Sequence, residues 1–532
     1  LGEGEFDLLV IGGGITGAGI ARDAAMRGLS VAMIEARDYC SGTSSKSSKM
    51  LHGGIRYLEQ FHFALVFEAS KERRLHTDLL SPHLAAPVPF LIPVYPWSPH
   101  NRMAVSAGVF LYDMLALFRN HGTRYLSREK TLKEEGRLEQ KGLKGSVVYH
   151  DAVMDDARIG FENVRSAAHH GAVTVNYLNV RGFEKDGTGR LKGVWVKDST
   201  EPNRGDFLVR AKSFVNATGP WSDYIRRLAD PDSEPMLRPT KGVHVVLPKE
   251  GLGKQHGFVL TAKTDNRVFF SIPWFGRTLV GTTDTDYRPS VDGPLEDIRA
   301  TQNDVDYLME SVKRTFPGST ITGKDVQSSF AGLRPLVSEG KANDPSAISR
   351  EHRIWQESSG LFSIAGGKYT TYRVMAQQMV DMVIKKLGDD FGWNPKPVTT
   401  QFEPLVLAGE VRPKDFGGLM DEYSNVLDPE VIKHLQFRYG ARWQRVADLA
   451  VQDASLRERI IGSEPDILAE VVYSRDYEMA VTFEDFLRRR TMLALKAPLL
   501  SHMERVEKAA RLFGGPAPTR EQIAHWQGLD LK

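Results

Sequence analysis

Six residues near the start of the chain carry the clearest chemistry. Gly12-Gly13-Gly14-Ile15-Thr16-Gly17 follows an apolar run, Phe6 to Ile11, and opens a helical pattern, Ile15 to Arg27. At such a junction Gly12 permits a tight turn and Gly14 lets the backbone approach a pyrophosphate. Gly17 allows close packing of helix on strand, and the helix N-terminus receives the negative charge. Glu35 ends the next apolar run, Leu29 to Ile34, eighteen residues after Gly17. A carboxylate there accepts hydrogen bonds from ribose hydroxyls and repels a 2′-phosphate. Near matches at Gly187 to Gly193 and Gly251 to Gly257 each miss by one residue and follow no buried strand, so one dinucleotide site is expected. The motif alone does not separate FAD from NAD. Gly366-Gly367-Lys368 lies between an apolar run and a helical pattern beginning near Thr370. It favours FAD, because a reduced flavin is anionic and needs a helix dipole or a cation beside it.

The remaining composition narrows the chemistry further. Cys40 is the single cysteine, which excludes an intrachain disulfide, a CxxC pair and a Cys-rich zinc site. It reads as a small structural residue in a protein of a reducing compartment, and no metal site is expected. Lys+Arg number 69 against 67 Asp+Glu, a net charge of +2, so no nucleic-acid partner is expected and any anionic ligand must be held by local cations. The opening LGEGEFD is acidic and runs straight into a strand pattern, unlike a signal peptide. The segment nearest to a membrane span, Met103 to Phe118, is sixteen residues long and interrupted by Asp113, short of the ~20 apolar residues a span requires.

The elements that must position these residues are mixed. Strand, glycine-rich turn, helix and strand within the first 34 residues form a βαβ unit. Further strand-like runs are Val173 to Val180, Val194 to Val196, Phe207 to Asn216, Val243 to Pro248, Val268 to Ile272 and Leu361 to Ile364. They are scattered among helical patterns, which predicts an α/β fold with a non-contiguous sheet. Trp393 to Thr400, with two prolines and no helical period, reads as a linker. Beyond it, Asp428-Pro429 with Gly440 bounds one helix, Ser463 opens a second, and Thr482 with Asp485 forms a capping box. The last 120 or so residues therefore read as a separate helical domain.

Five segments together resemble one family: Thr43-Ser44-Ser45-Lys46-Ser47-Ser48-Lys49-Met50-Leu51-His52-Gly53-Gly54-Ile55-Arg56-Tyr57-Leu58-Glu59, Val215-Asn216-Ala217-Thr218-Gly219-Pro220-Trp221, Gly281-Thr282-Thr283-Asp284, Gly332-Leu333-Arg334-Pro335-Leu336 and Ala365 to Arg373. They occur in the order found in FAD-dependent glycerol-3-phosphate dehydrogenases. The similarity runs from about residue 5 to 390, and the C-terminal domain is similar to that family's cap. Met50-Leu51 in place of Leu-Ile and the charge of Lys46 are the departures. No EF-hand loop is present, so the calcium-regulated form is not implied. No long insertion of the oxidase kind is present, which favours a quinone acceptor.

The resemblance implies a Rossmann-like FAD-binding domain (1–90, 150–225 and 340–393) interleaved with a mixed-sheet substrate domain (91–149 and 226–339), the flavin-dependent amino-acid-oxidase-like fold, plus an all-α cap (400–532). It implies sn-glycerol 3-phosphate as substrate, with Arg56, Arg334 and Arg350 as phosphate ligands, since guanidinium forks suit phosphate oxygens. His52 is the first candidate for the base that takes the hydroxyl proton, with His244 second. Tyr57 is a hydrogen-bonding partner for substrate or flavin, Lys368 stabilises reduced flavin or binds substrate, and Thr283 with Asp284 shapes the pocket. Cofactor contacts are expected from Gly12, Gly14, Ile15, Thr16, Gly17, Glu35 and Ala36, and from Thr43, Ser44, Ser45, Ser48, Lys49, Leu51, His52, Gly53 and Gly54. Val180, Ala217, Thr218, Gly219, Gly332, Arg334, Gly367, Lys368, Tyr369 and Thr370 complete the expected set. A quinone acceptor further implies a monotopic enzyme, peripherally attached to the cytoplasmic face of the cell membrane through Met103 to Phe118 and its basic flanks, and a homodimer. An amine-oxidising relative on the same fold, a non-catalytic flavoprotein and an NAD-dependent dehydrogenase are the alternatives.

Overall fold

A computed structural model describes the chain apart from residues 3, 60, 121, 250–251, 254–255, 263–264, 266, 339–350, 406–422 and 531–532. Strand β1 (Glu5–Ile11), helix α1 (Ile15–Met26) and β2 (Val31–Ile34) form the expected βαβ unit. Then come β3 (Met50–Leu51), α2 (Phe63–Leu75), β4 (Ala85–Val94), α3 (Arg102–Leu115), β5 (Arg124–Ser127), α4 (Arg128–Glu134), β6 (Gly145–Met154) and α5 (Asp156–His169). Strands β7 (Val173–Val175), β8 (Leu178–Lys185), β9 (Leu191–Asp198) and β10 (Phe207–Asn216) follow. The next strands are β11 (Leu237–Pro248), β12 (Gly257–Thr261), β13 (Val268–Trp274), β14 (Arg277–Gly281) and β15 (Thr285–Asp286). The last are β16 (Ser328–Val337), β17 (His352–Gln356) and β18 (Leu361–Gly366).

These strands make two sheets. The first runs β17-β18-β10-β1-β2-β7, with β9 on β10 and β8 on β9; β18, β10, β1, β2 and β7 are parallel. Leu8, Leu9 and Val10 are fully buried, as a strand covered on both faces requires. One face packs on α1, α5 and the helix Tyr372–Phe391, the other on apolar residues of β8 and β9. Small residues on α1 allow the close contact: a Cβ on Gly19 would lie 2.8 Å from the Tyr372 ring. The second sheet runs β15-β11-β14-β13-β12-β4-β6-β3, with β16 on β11 and β5 on β6. β3 belongs to it although it falls within residues 1–90. The helical segment beyond residue 423 has a hydrophobic core of its own, built on Val431, Leu435, Trp443, Val471 and Phe486.

Three local expectations change. Val173 to Val180 is not one strand: β7 pairs with β2, β8 pairs with β9, and Tyr177, at φ +60°, turns the chain between them. The strand-like residues on both sides of Tyr177 hide that change of partner. The helix expected from Ser463 starts at Leu468, with Glu470 Oε2 accepting from Ile467 N at 2.8 Å; residues 460–466 form a turn closed by Ile460 N donating to Asp466 O. Pro429 does open a helix, but the Asp428 side chain makes no cap and meets Arg459 instead. The Thr482–Asp485 capping box forms as expected. Among the described residues no helix is long and apolar enough to cross a membrane.

Candidate active site

The carboxyl ends of β1, β2, β10 and β18 and the inner face of the second sheet enclose a cavity of about 2020 Å³. Ligands bind at strand carboxyl ends in open α/β sheets because loops and helix N-termini converge there. Gly12, Gly14, Ile15 and Thr16 line the cavity. Gly12 sits at φ +109°, a conformation natural only to glycine. Gly17 does not line it: a Cβ there would fall 1.8 Å from Gly12 O, so this glycine seats the helix against the turn. Gly14 caps α1 without a side-chain hydrogen bond, leaving N–H groups turned outward; the Ile15 N–H donates to Ser44 Oγ at 2.9 Å.

Glu35 and Ala36 line the cavity beside Val180. The Glu35 carboxylate accepts from Gly13 N at 2.7 Å and Arg37 N at 3.0 Å. Burial pushes its carboxyl above the usual range, against those two donors. Ala217, Thr218 and Gly219 close the opposite wall. A Cβ on Gly12 would lie 2.7 Å from Ala217 O, which explains why glycine stands there.

The serine run divides. Thr43, Ser44 and Ser48 line the cavity; Ser45, Lys49, Leu51 and Gly53 do not. Lys49 turns inward, its Nζ 2.5 Å from Asp156 Oδ1 and donating to Ser45 O at 2.9 Å. Leu51 is buried in a core cluster. Gly53 N donates to the Tyr112 hydroxyl at 2.9 Å and to Asp151 at 3.2 Å, and Arg73 pairs with the same Asp151. These contacts brace the run.

Beyond the run, His52, Gly54, Arg56, Tyr57, His244, Gly332, Arg334, Gly367, Lys368, Tyr369 and Thr370 all line the cavity. Lys368 Nζ stands 3.4 Å from the Tyr57 ring centroid, a cation–π contact. His52 N donates to Thr370 Oγ1 at 3.2 Å, which ties the loop of His52 to the turn of Lys368. Arg334 is oriented by its neighbours: Nη1 meets Asp284 Oδ1 at 3.0 Å and donates to Thr240 Oγ1 at 3.5 Å, and Nη2 donates to Thr282 Oγ1 at 2.9 Å and Thr283 O at 3.2 Å. A Cβ on Gly242 would lie 2.5 Å from Arg334 Nη2, so the glycine on β11 makes room for the guanidinium. Thr283 itself is buried, accepting from Val243 N; Thr282 and Asp284 line the cavity in its place. His244 Nε2 and Ser48 Oγ are hydrogen-bonded at 2.9 Å, and the imidazole stacks on Phe330. Burial, with Arg334 and Lys49 nearby, pushes its pKa well below the ordinary imidazole value, so it is a neutral ring. Arg350 lies outside the described residues.

Sequence reading missed Lys46 as a cavity residue. It lines the wall beside Gly332, and burial plus repulsion from Arg488, Arg37 and Arg489 pushes its pKa down to about 7. The signal was its charge within a serine run.

Comparison with known proteins agrees with this geometry. Residues 7–381 match the FAD dependent oxidoreductase family, and residues 398–514 match the C-terminal domain of alpha-glycerophosphate oxidase. The chain is 38% identical over 494 residues to the aerobic glycerol-3-phosphate dehydrogenase of Staphylococcus aureus strain USA300, covering 92% of this chain and 86% of that protein. The chain belongs to the FAD-dependent glycerol-3-phosphate dehydrogenases. A solved member of these dehydrogenases, from Bacillus halodurans and complexed with FAD, superposes with a TM-score of 0.77 at 32% identity, covering 99% of this chain and 94% of that one. The L-alpha-glycerophosphate oxidase of Mycoplasma pneumoniae, with FAD bound, shares the fold at a TM-score of 0.57 and 18% identity, over 75% of this chain and 98% of that one. FAD fits the residues present. The glycine cradle is passable only without side chains, Gly14 at the α1 N-terminus brings no capping side chain, and the cavity exceeds the ~300–1,000 Å³ of a site for one drug-sized ligand.

Proposed function

We propose that this dehydrogenase oxidises sn-glycerol 3-phosphate to dihydroxyacetone phosphate and passes the electrons to a membrane quinone. The observation that carries the reading is that Arg56, Arg334, Lys368, His52 and His244 line the same cavity as the glycine cradle. In a protein of net charge +2, that cluster is a local field suited to a small phosphate dianion.

Bound FAD supplies the acceptor for the C2 hydride. The protein's part is binding, orientation and the proton. Arg56, Arg334 and Lys368 hold the phosphate, and Asp284 with Thr282 keeps the Arg334 fork from rotating. Fixing the phosphate fixes C2, which is catalysis by positioning. The hydroxyl proton goes to an imidazole, with His52 first and His244 second. His244 Nε2 is held by its hydrogen bond to Ser48 Oγ at 2.9 Å.

The acceptor side rests on α3 and its surroundings. Met103, Phe110, Leu117 and Phe118 are exposed, beside the equally exposed Phe61 and Phe67 of the loop before α2 and α2 itself. Exposed apolar side chains of this kind fit a lipid interface, which supports a peripheral seat on the membrane. The inner side of the same helix, Val105, Gly108 and Leu111, lines the cavity, giving a quinone an apolar approach.

The test is an anaerobic visible spectrum of the purified holoenzyme before and after adding glycerol 3-phosphate. Bleaching of the oxidised-flavin band, with dihydroxyacetone phosphate recovered, is expected. A flavin that stays oxidised with glycerol 3-phosphate but bleaches with an amino acid overturns the substrate assignment.

A further inference from the structure

The loop from Glu35 to Ser44 forms one rim of the FAD cavity but has little structure of its own. It runs without helix or strand until a single 3-10 turn at Thr43–Ser45, and Cys40 within it is held at φ +60°, a costly conformation for a side-chain-bearing residue. Its support comes from the far end of the chain. Asp38 is fully buried and accepts from Arg490 Nη1 at 2.9 Å, from Arg490 Nη2 at 2.8 Å and from Arg489 Nε. Arg489 Nη2 also reaches Asp485 at 2.5 Å. Two aspartates and two arginines thus form a neutral buried foursome, the condition under which buried charges are tolerated.

The adjoining segment, bonded to this loop through Tyr177 N to Arg37 O and Leu178 N to Glu35 O, is tied to the same part of the chain. Asn176 Nδ2 donates to Met479 O at 3.0 Å, and the Tyr177 hydroxyl donates to Asp485 at 2.9 Å, just before β8 and Val180. The Arg490 guanidinium lies 4.3 Å from the Phe161 ring centroid on α5, and its Nε donates to Glu478 O at 3.0 Å. Residues 478–490 therefore grip two adjoining segments at the end of the cavity that carries Glu35 and Val180, without lining it themselves.

We infer that the helical C-terminal domain is a second clamp of the FAD site, with Arg489 and Arg490 as positioning residues that hold Asp38 and, through it, the loop carrying Glu35. Two consequences follow. Breaking the clamp weakens FAD binding even where the domains stay docked. By linkage, FAD binding tightens residues 478–490 by the same factor.

The experiment compares three variants as full-length apoprotein titrated with FAD, reading flavin fluorescence. Asp38→Asn keeps the shape of the loop side and removes its charge. Arg490→Met cuts the domain side. Arg442→Met is the control: Arg442 forms a buried pair with Glu162 across the same domain contact but does not reach the loop. The expected result is a Kd raised about tenfold or more by Asp38→Asn and Arg490→Met, partial rescue by Arg490→Lys, and less than about threefold change with Arg442→Met despite a lowered melting temperature. Hydrogen exchange in residues 478–490 is expected to slow on adding FAD to the wild type and not to Arg490→Met. If Arg490→Met fails to fold, Asp38→Asn decides alone. An unchanged Kd for Asp38→Asn, or an equal loss in Arg442→Met, overturns the inference. These readouts concern FAD binding alone, so they stand apart from whether glycerol 3-phosphate is the substrate.

Discussion

Arg334 and Arg56 bind the same proposed phosphate in different settings, and alanine at each has a different expected cost. Arg334 neutralises Asp284, its partner at 3.0 Å. Arg334→Ala removes a charge-assisted fork and leaves a carboxylate facing an anionic substrate. Arg56 is exposed and has no such debt. A lost charged hydrogen bond costs about 1.5–3 kcal/mol, about ten- to hundredfold in kcat/KM. Arg56→Ala is expected in that range and Arg334→Ala beyond it, with flavin content unchanged in both. Steady-state kinetics with glycerol 3-phosphate, normalised to flavin absorbance, checks this; wild-type kcat and KM in both variants would remove the phosphate assignment. These arginines were legible because they stand in motifs. Thr282 was not, since neighbouring threonines differ only in which way each side chain points at the end of β14.

At the scale of elements, α3 joins two tasks. Its outer face is apolar and exposed, and Phe110 packs there against Phe118, 5.9 Å between ring centroids. Its inner face sends the Tyr112 hydroxyl to Gly53 N and Asp151, next to His52. Burying a Phe side chain is worth about 1.5–3 kcal/mol, so Phe110→Glu with Phe118→Glu is expected to weaken association with anionic vesicles at least about tenfold. Reduction of a soluble dye is expected to be unaffected, because neither ring faces the cavity. Co-sedimentation with vesicles, alongside the dye assay, measures both; undiminished sedimentation would refute the interfacial role. The sixteen-residue apolar stretch was visible in the sequence, but not which of its faces is free.

For the whole molecule, pH sensitivity is set where distant segments meet. His76 ends α2 and packs against Tyr372 at the start of a helix almost 300 residues on. Burial, then Arg22 and Arg373, pushes its pKa down to about 3. An unfolded imidazole titrates near 6.5, so below that pH the unfolded chain binds a proton that the folded chain refuses. Stability is therefore full above about pH 6.5 and falls progressively as pH drops from there toward 3. Melting temperatures of the wild type and His76→Gln between pH 7 and 5 are expected to show the steeper acid loss in the wild type. Parallel curves would mean that His76 does not carry this dependence.

The amino-acid sequence by itself determined the elements whose causes are local. The glycine cradle follows from backbone sterics at Gly12, Gly14 and Gly17. Strand β1 follows from the apolar run Leu8 to Ile11, and the C-terminal helices follow from Pro429, Gly440 and the Thr482–Asp485 box. The family was legible from five short motifs in order. What only the tertiary structure decided depends on partners far away along the chain. Lys49 turns from the cavity because Asp156 waits 107 residues on. Val173 to Val180 breaks because its two halves find different strands. Asp38 is held by an arginine 451 residues away, and no spacing within a loop of ten residues could announce it. Local sterics act through neighbours in sequence, whereas buried charges are satisfied by whatever the fold brings into reach.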